Sequence, residues 1–175
     1  MTDRLTIALA QLNPTVGAIN ANLAKARDAL AKSAGADLIL FPELFICGYP
    51  PEDLVLRPSF VENCRIAVED LARDTASGPA ILMGLPWRDG SRLYNAVALL
   101  ANGRIETLRY KHDLPNYGVF DEKRVFDEGT ISGPTNFRGV RIGIPICEEI
   151  WNDVGVCETL AESELHRSWG ASLIG

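Results

Sequence analysis

The chain has 175 residues, 47% of them hydrophobic and 23% charged, with a net charge of −6 and a pI near 4.9. This fits one soluble globular domain. The acidic balance, with no lysine or arginine run, argues against a nucleic-acid groove or an anionic membrane as partner.

The opening "MTDRLTIALAQLNP" does not read as a signal peptide, because Gln11, Asn13 and Pro14 cut its apolar run short. Nothing approaches the about 18 consecutive apolar residues of a membrane span, and the expected location is the cytoplasm. Residues 5–12, "LTIALAQL", predict a strand buried on both faces. Ile19, Leu23, Ala26 and Leu30 then recur at helical spacing, with Asn20 placed to cap the helix start and Gly35 its end. "ADLILFPE" (36–43) is a second short apolar run, closed by Pro42. Strand, helix and strand in this order predict neighbouring parallel strands.

Residues 46–60 carry three prolines and read as a loop. Phe60, Cys64, Val68 and Leu71 mark a second amphipathic helix, and "PAILMGLP" (79–86) a third strand. Two β-like runs around Asn102-Gly103 predict a hairpin. Residues 113–130 have no clean period and predict a long ordered loop, a frequent home of function. A further hairpin near Arg138-Gly139 delivers a strand expected to end at Cys147. The sum is a mixed α/β sheet with helices on its face and no internal repeat or linker.

Cys47, Cys64, Cys147 and Cys157 form no C-x-x-C, and the two histidines, His112 and His166, are too few for a structural zinc site. In a reducing compartment the thiols are expected to be free. Glu43, Lys111 and Cys147 lie at the C-terminal ends of apolar runs, where α/β sheets usually build their sites. A cysteine attacking a carbonyl needs a proton acceptor and a positive charge near the developing oxyanion. A partly buried glutamate and a lysine supply these parts. By residue type alone each keeps an ordinary alternative: a loop-capping glutamate, a solvated lysine and a core cysteine. The pair Glu148-Glu149 reads as solvated or hydrogen-bonded rather than metal-binding. Trp87 and Trp151 read as packing residues or pocket walls.

Three segments lift the trio above those alternatives. "FPELFICGYPPEDL", "RYKHDLPNYGVFDEKRVF" and "PICEEIW" resemble the signature segments of the nitrilase, or carbon–nitrogen hydrolase, superfamily. "YKHDLPNYGVFDEKRVF" is most similar to the glutaminase domain of glutamine-dependent NAD synthetases, and the likeness runs from residue 4 to about residue 164. The resemblance implies a nitrilase-like α-β-β-α sandwich with a mixed sheet and helices on one face. It implies Glu43 as general base, Lys111 as stabiliser of the tetrahedral intermediate and Cys147 as nucleophile. By the same likeness Tyr117 helps bind substrate and Glu122 orients the lysine at the substrate pocket. Glu148 lends its backbone N–H to the oxyanion.

The implied substrate is L-glutamine, with no cofactor for this half. ATP and Mg²⁺ would belong to a separate synthetase domain that uses the ammonia to amidate deamido-NAD, in a homo-oligomer when full length. The rivals are another carbon–nitrogen hydrolase, such as an ω-amidase, and a non-catalytic remnant that binds partner subunits. Where relatives often read Cys-Glu-Asp, this chain has Cys147-Glu148-Glu149.

The likeness stops at the end. "ELHRSWGASLIG" does not continue the family pattern, and no Gly-rich phosphate loop is present. Residues 1–164 are therefore read as the N-terminal part of a glutaminase domain, and 165–175 as an atypical tail from a shifted reading frame. A short protein with a new ending is the competing reading. On the favoured reading the sandwich is incomplete at its C-terminus, and the isolated chain is expected to be poorly soluble and of little activity.

Overall fold

A computed structural model of the protein describes residues 4–151 and 155–162. The expected tail at 165–175 and His166 lie outside the described residues. Five strands make the main sheet: β1 (Ile7–Leu9), β2 (Leu38–Leu40), β3 (Ala80–Asp89), β4 (Arg92–Ala101) and β5 (Arg104–Tyr110), in that spatial order. Helix α1 (Ile19–Lys32) connects β1 to its parallel neighbour β2, and α2 (Pro58–Asp74) connects β2 to parallel β3. The next two links are hairpins, so β3, β4 and β5 run antiparallel. The first turns at Gly90 with φ +57°; the second uses Asn102-Gly103, both at positive φ, as a two-residue hairpin turn requires. A second sheet holds β6 (Thr135–Phe137) and β7 (Val140–Ile142), turning at Arg138-Gly139.

The central strands are apolar at nearly every position because both of their faces are covered. Ile81, Met83, Leu85, Ala96, Ala98 and Leu100 face a core shared with Leu23 and Ala26 of α1 and with Val61, Cys64, Val68 and Leu71 of α2. The alternate residues Ala80, Leu82, Val97, Leu99 and Ala101 face a second core with Phe137, Ile142, Ile144 and Ile146. Helices thus lie on one face of the main sheet and the β6–β7 hairpin on the other. Helix α3 (Val156–Glu162) follows, with Leu160 packed against Gly143.

The structure departs from the sequence expectations at several points. The strand expected at 5–12 is only Ile7–Leu9, and it is an edge strand whose Leu9 is 63% exposed. Its alternate residues still meet both cores, Ala8 and Ala10 on the helix side and Leu5 and Ile7 on the other. Asn20 does not cap α1; Ala18 occupies that position without a side-chain bond. The working amide is Asn22, fully buried, which accepts from Thr15 N–H at 2.8 Å and donates to the carbonyls of Thr15 (2.8 Å) and Ile46 (3.2 Å). The helix ends at Ser33, and Gly35 has no positive φ. The strand expected to reach Cys147 stops at Ile142, and Cys147 instead opens a 3₁₀ turn, Cys147–Ile150.

Candidate active site

Glu43, Lys111 and Cys147 are drawn together from three elements. Lys111 follows β5, and its backbone N–H donates to the carbonyl of Asn95 at 2.8 Å, which extends the β4–β5 ladder by one step. Directly opposed residues of a ladder share a face, so the Lys111 and Asn95 side chains emerge side by side. Lys111 is fully buried and donates to Glu43 Oε1 at 2.6 Å and to Glu122 Oε1 at 3.0 Å. Asn95 Nδ2 donates to Glu43 Oε1 at 2.7 Å and to Glu122 Oε2 at 3.3 Å. Tyr49 adds a longer bond from its hydroxyl to Glu122 Oε1, 3.4 Å. A buried ammonium therefore sits between two carboxylates, and an amide bridges the same pair.

Glu43 reaches this cluster from the loop after β2, which crosses directly over β3. A Cβ added at Gly84 would stand 2.3 Å from the backbone nitrogen of Leu44 and 2.9 Å from the carbonyl carbon of Glu43. Only glycine at 84 lets the loop approach so closely. Leu44 itself has φ +49°, and Cys147 has φ +45°. Side chains at positive φ hold about 1–3 kcal/mol of backbone strain and tend to mark functional sites. Of the five such residues described, Leu44 adjoins Glu43 and Cys147 is the cysteine itself, while Asn102 and Arg138 turn hairpins and Glu52 opens a 3₁₀ turn.

The Cys147 thiol is half-buried and lies within the electrostatic reach of Glu43. Burial, and next the Glu43 carboxylate, push it up to about 11, against the opposing pull of Lys111. The resting thiol is therefore protonated at neutral pH with a carboxylate at hand. Burial alone would lower Lys111, but Glu43 and Glu122 outweigh it and raise the ammonium above its ordinary value. Burial, and then the charge of Glu43, raise Glu122, partly offset by Lys111. Tyr49 is raised well above the ordinary phenol by burial, then by the charges of Glu122, Glu43 and Cys147.

Glu122 is 5% exposed and accepts from the Lys111 ammonium. Tyr117 is 58% exposed, and its hydroxyl donates to Glu148 Oε1 at 2.8 Å. The two members of the Glu148-Glu149 pair part company, since Glu149 is completely buried. His112 is turned away from the cluster, with Nδ1 2.7 Å from the carbonyl oxygen of Gly129 and 3.3 Å from Glu128. Trp151 is 74% exposed, and Trp87 packs against the helix-side core. Asn95 and Tyr49 escaped the sequence reading. An asparagine in the middle of an apolar strand, "LYNAVALL", was the available signal for the first.

Among the described residues no group of three or more His, Cys, Asp or Glu could hold a metal ion, and no helix is long and apolar enough to cross a membrane.

Comparison with known proteins places the chain in a class. It belongs to the carbon–nitrogen hydrolase family, whose model matches residues 6–165. Its curated relatives include the glutamine-dependent NAD(+) synthetases of Rhodobacter capsulatus, 46% identical over 87% of this chain, and Thermotoga maritima, 44% identical over 92% of it. The chain spans about 28% of the length of either relative. Among solved structures, the glutamine-dependent NAD+ synthetase of Acinetobacter baumannii in complex with ADP matches with a TM-score of 0.84 and 35% identity, covering 98% of this chain and 32% of that one. A mutant amidase from Nesterenkonia sp. AN1, with acrylamide added at its active-site cysteine, matches at a TM-score of 0.68 and 26% identity. That likeness covers 84% of this chain and 59% of the amidase.

Proposed function

We propose that this chain carries the glutamine-hydrolysing site of a glutamine-dependent NAD synthetase. The observation that carries the proposal is the buried Lys111 ammonium, bonded to Glu43 beside the half-buried Cys147 thiol. In this reading Cys147 Sγ attacks the side-chain carbonyl of L-glutamine while Glu43 takes the thiol proton. The carbonyl electrons move onto oxygen, where the Lys111 ammonium and the backbone N–H of Glu148 receive the charge. Collapse breaks the C–N bond, Glu43 returns its proton to the nitrogen, and ammonia leaves a thioester on Cys147. Glu43 next draws a proton from water, which attacks the thioester. The second collapse releases glutamate and the thiolate, which regains that proton. Tyr117 and Glu148 border the entrance, and Glu122 and Asn95 hold Lys111 and Glu43 in place.

In this reading the ammonia serves NAD synthesis, and ATP and Mg²⁺ act in a separate synthetase domain that amidates deamido-NAD. Among the described residues no cluster fits such a metal.

Labelling with the glutamine analogue 6-diazo-5-oxo-L-norleucine tests the proposal. Mass spectrometry is expected to find one adduct, on Cys147, protected by L-glutamine and not by L-asparagine. Labelling elsewhere, or labelling indifferent to glutamine, would overturn it. Protection by unrelated linear amides would point to the amidase-like alternative.

A further inference from the structure

Lys111 and Cys147 are carried by different sheets. Lys111 leaves β5, an edge of the five-stranded sheet, and Cys147 follows β7, whose described ladder partner is β6. No ladder between described strands joins them, so core packing between the sheets and side-chain contacts at the strand ends set their spacing. Glu149 makes such a contact. It is completely buried two residues beyond Cys147, and its Oε1 accepts the backbone N–H of His112, the residue after Lys111, at 2.7 Å. Oε2 accepts the backbone N–H of Ile146, the residue before Cys147, at 2.6 Å. Oε2 also accepts from Nη1 of Arg109, two residues before Lys111, at 2.7 Å. Arg109 is itself 3% exposed. One carboxylate thus collects three donors from the two segments that deliver the ammonium and the sulfur.

We propose that Glu149 is a positioning residue that pins the end of β5 to the Cys147 turn and so sets where the Lys111 ammonium stands relative to the sulfur. The proposal rests on the reading of Cys147 as nucleophile. Hydrogen bonds to a charged acceptor are roughly twice as strong as neutral ones, and Arg109 stands beside the buried carboxylate as its countercharge. The bond to Ile146 N–H also closes the turn in which Cys147 is held at φ +45°, a conformation that persists only when its surroundings over-determine it. Glu149 touches no reacting atom. Its effect passes through the backbone on either side of it.

The experiment compares two probes of Cys147 in the full chain and in Glu149→Gln. Acrylamide carries an amide carbonyl that must meet Lys111 as the sulfur adds. Methyl methanethiolsulfonate has no carbonyl and reports only whether the thiolate forms and is reachable. The Glu149→Gln substitution keeps the volume but turns one acceptor into a donor, so one backbone N–H loses its partner. The acrylamide rate, divided by the thiolsulfonate rate, is expected to fall about 100-fold, the effect of an ångström of misplacement, while the melting transition stays cooperative. An unchanged ratio in folded Glu149→Gln would overturn the proposal. Should that variant not fold, Glu149→Asp decides. It keeps the charge for Arg109, retracts the carboxylate by one methylene, and must lower the same ratio by a smaller factor; an unchanged ratio there overturns the proposal too. Failure of the glutamine reading looks different: diazo-ketone labelling of the unsubstituted chain would be indifferent to glutamine, while Glu149→Gln still lowered the acrylamide ratio.

Discussion

Lys111 and Glu43 stand 68 residues apart in the chain and 2.6 Å apart in space, the ammonium fully buried and the carboxylate nearly so. Burying charges is costly unless each finds a partner. Here one cation serves two carboxylates, since Glu122 lies 3.0 Å away on the same nitrogen. The arrangement leaves an excess of negative charge close to Cys147. Burial, and next the charge of Glu43, keep the thiol protonated at rest.

Replacing the cation exposes this dependence. Lys111→Met is expected to lower stability by about 3–5 kcal/mol, because two buried carboxylates then face each other without a countercharge. Urea denaturation measures the loss. Adding Glu122→Gln to Lys111→Met should recover part of the stability, yet leave Cys147 unreactive toward the diazo-ketone. Full stability in the single variant would contradict the picture of a charge-bearing lysine.

The thiol gives a pH signature. Its ionisation is pushed up to about 11 from an ordinary 9.0, chiefly by burial and then by Glu43. Alkylation of Cys147 should therefore be slow at neutral pH and climb toward a plateau only in strongly alkaline solution. Glu43→Gln removes a negative charge beside the sulfur and leaves Lys111 in place, so the midpoint of the profile must move down. A midpoint that stays or rises would show that Glu43 does not face the thiol.

Asn95 is expected to matter as much as its charged neighbours. Asn95→Leu keeps the approximate volume but removes the donor shared by Glu43 and Glu122. Leaving buried acceptors short of a partner costs about 1–3 kcal/mol. Asn95→Asp, which adds a third carboxylate to the pair, should be the more damaging of the two. Thermal melts of both variants, with labelling of Cys147 alongside, test the order.

Gly84→Ala probes the site from its far side. The new methyl would fall 2.3 Å from Leu44 N and 2.7 Å from the Pro42 carbonyl oxygen, so the loop bearing Glu43 must lift away. Overpacking of this kind costs about 1–3 kcal/mol. Labelling of Cys147 should slow although no polar group of the site has changed. Normal labelling with reduced stability would mean the loop yields without moving Glu43.

Periodicity in the chain was enough to reveal α1, α2, the central strands and the Asn102-Gly103 turn, because helix and hairpin signals are local. It made β1 too long and too buried: only Ile7–Leu9 pairs, and Leu9 stays open although the flanking residues meet both cores. It also carried the last strand too far, since "IPIC" reads as continuous strand while the backbone turns at Cys147 with a positive φ. Glu43, Lys111 and Cys147 were recognisable through their flanking segments. Asn95 and Glu149 were not, for an asparagine in a strand and the second glutamate of a pair acquire meaning only from what they touch.

The amino-acid order alone settled which residues are apolar at which spacing, and hence the helices and the hairpins. Only the tertiary structure decided that Lys111 is shared between Glu43 and Glu122, and that Glu148 stays partly open beside Tyr117 while Glu149 is sealed inside with Arg109. Those outcomes depend on contacts between residues 11 to 68 positions apart, and no local pattern encodes the distance or burial that sets the energy of a charge.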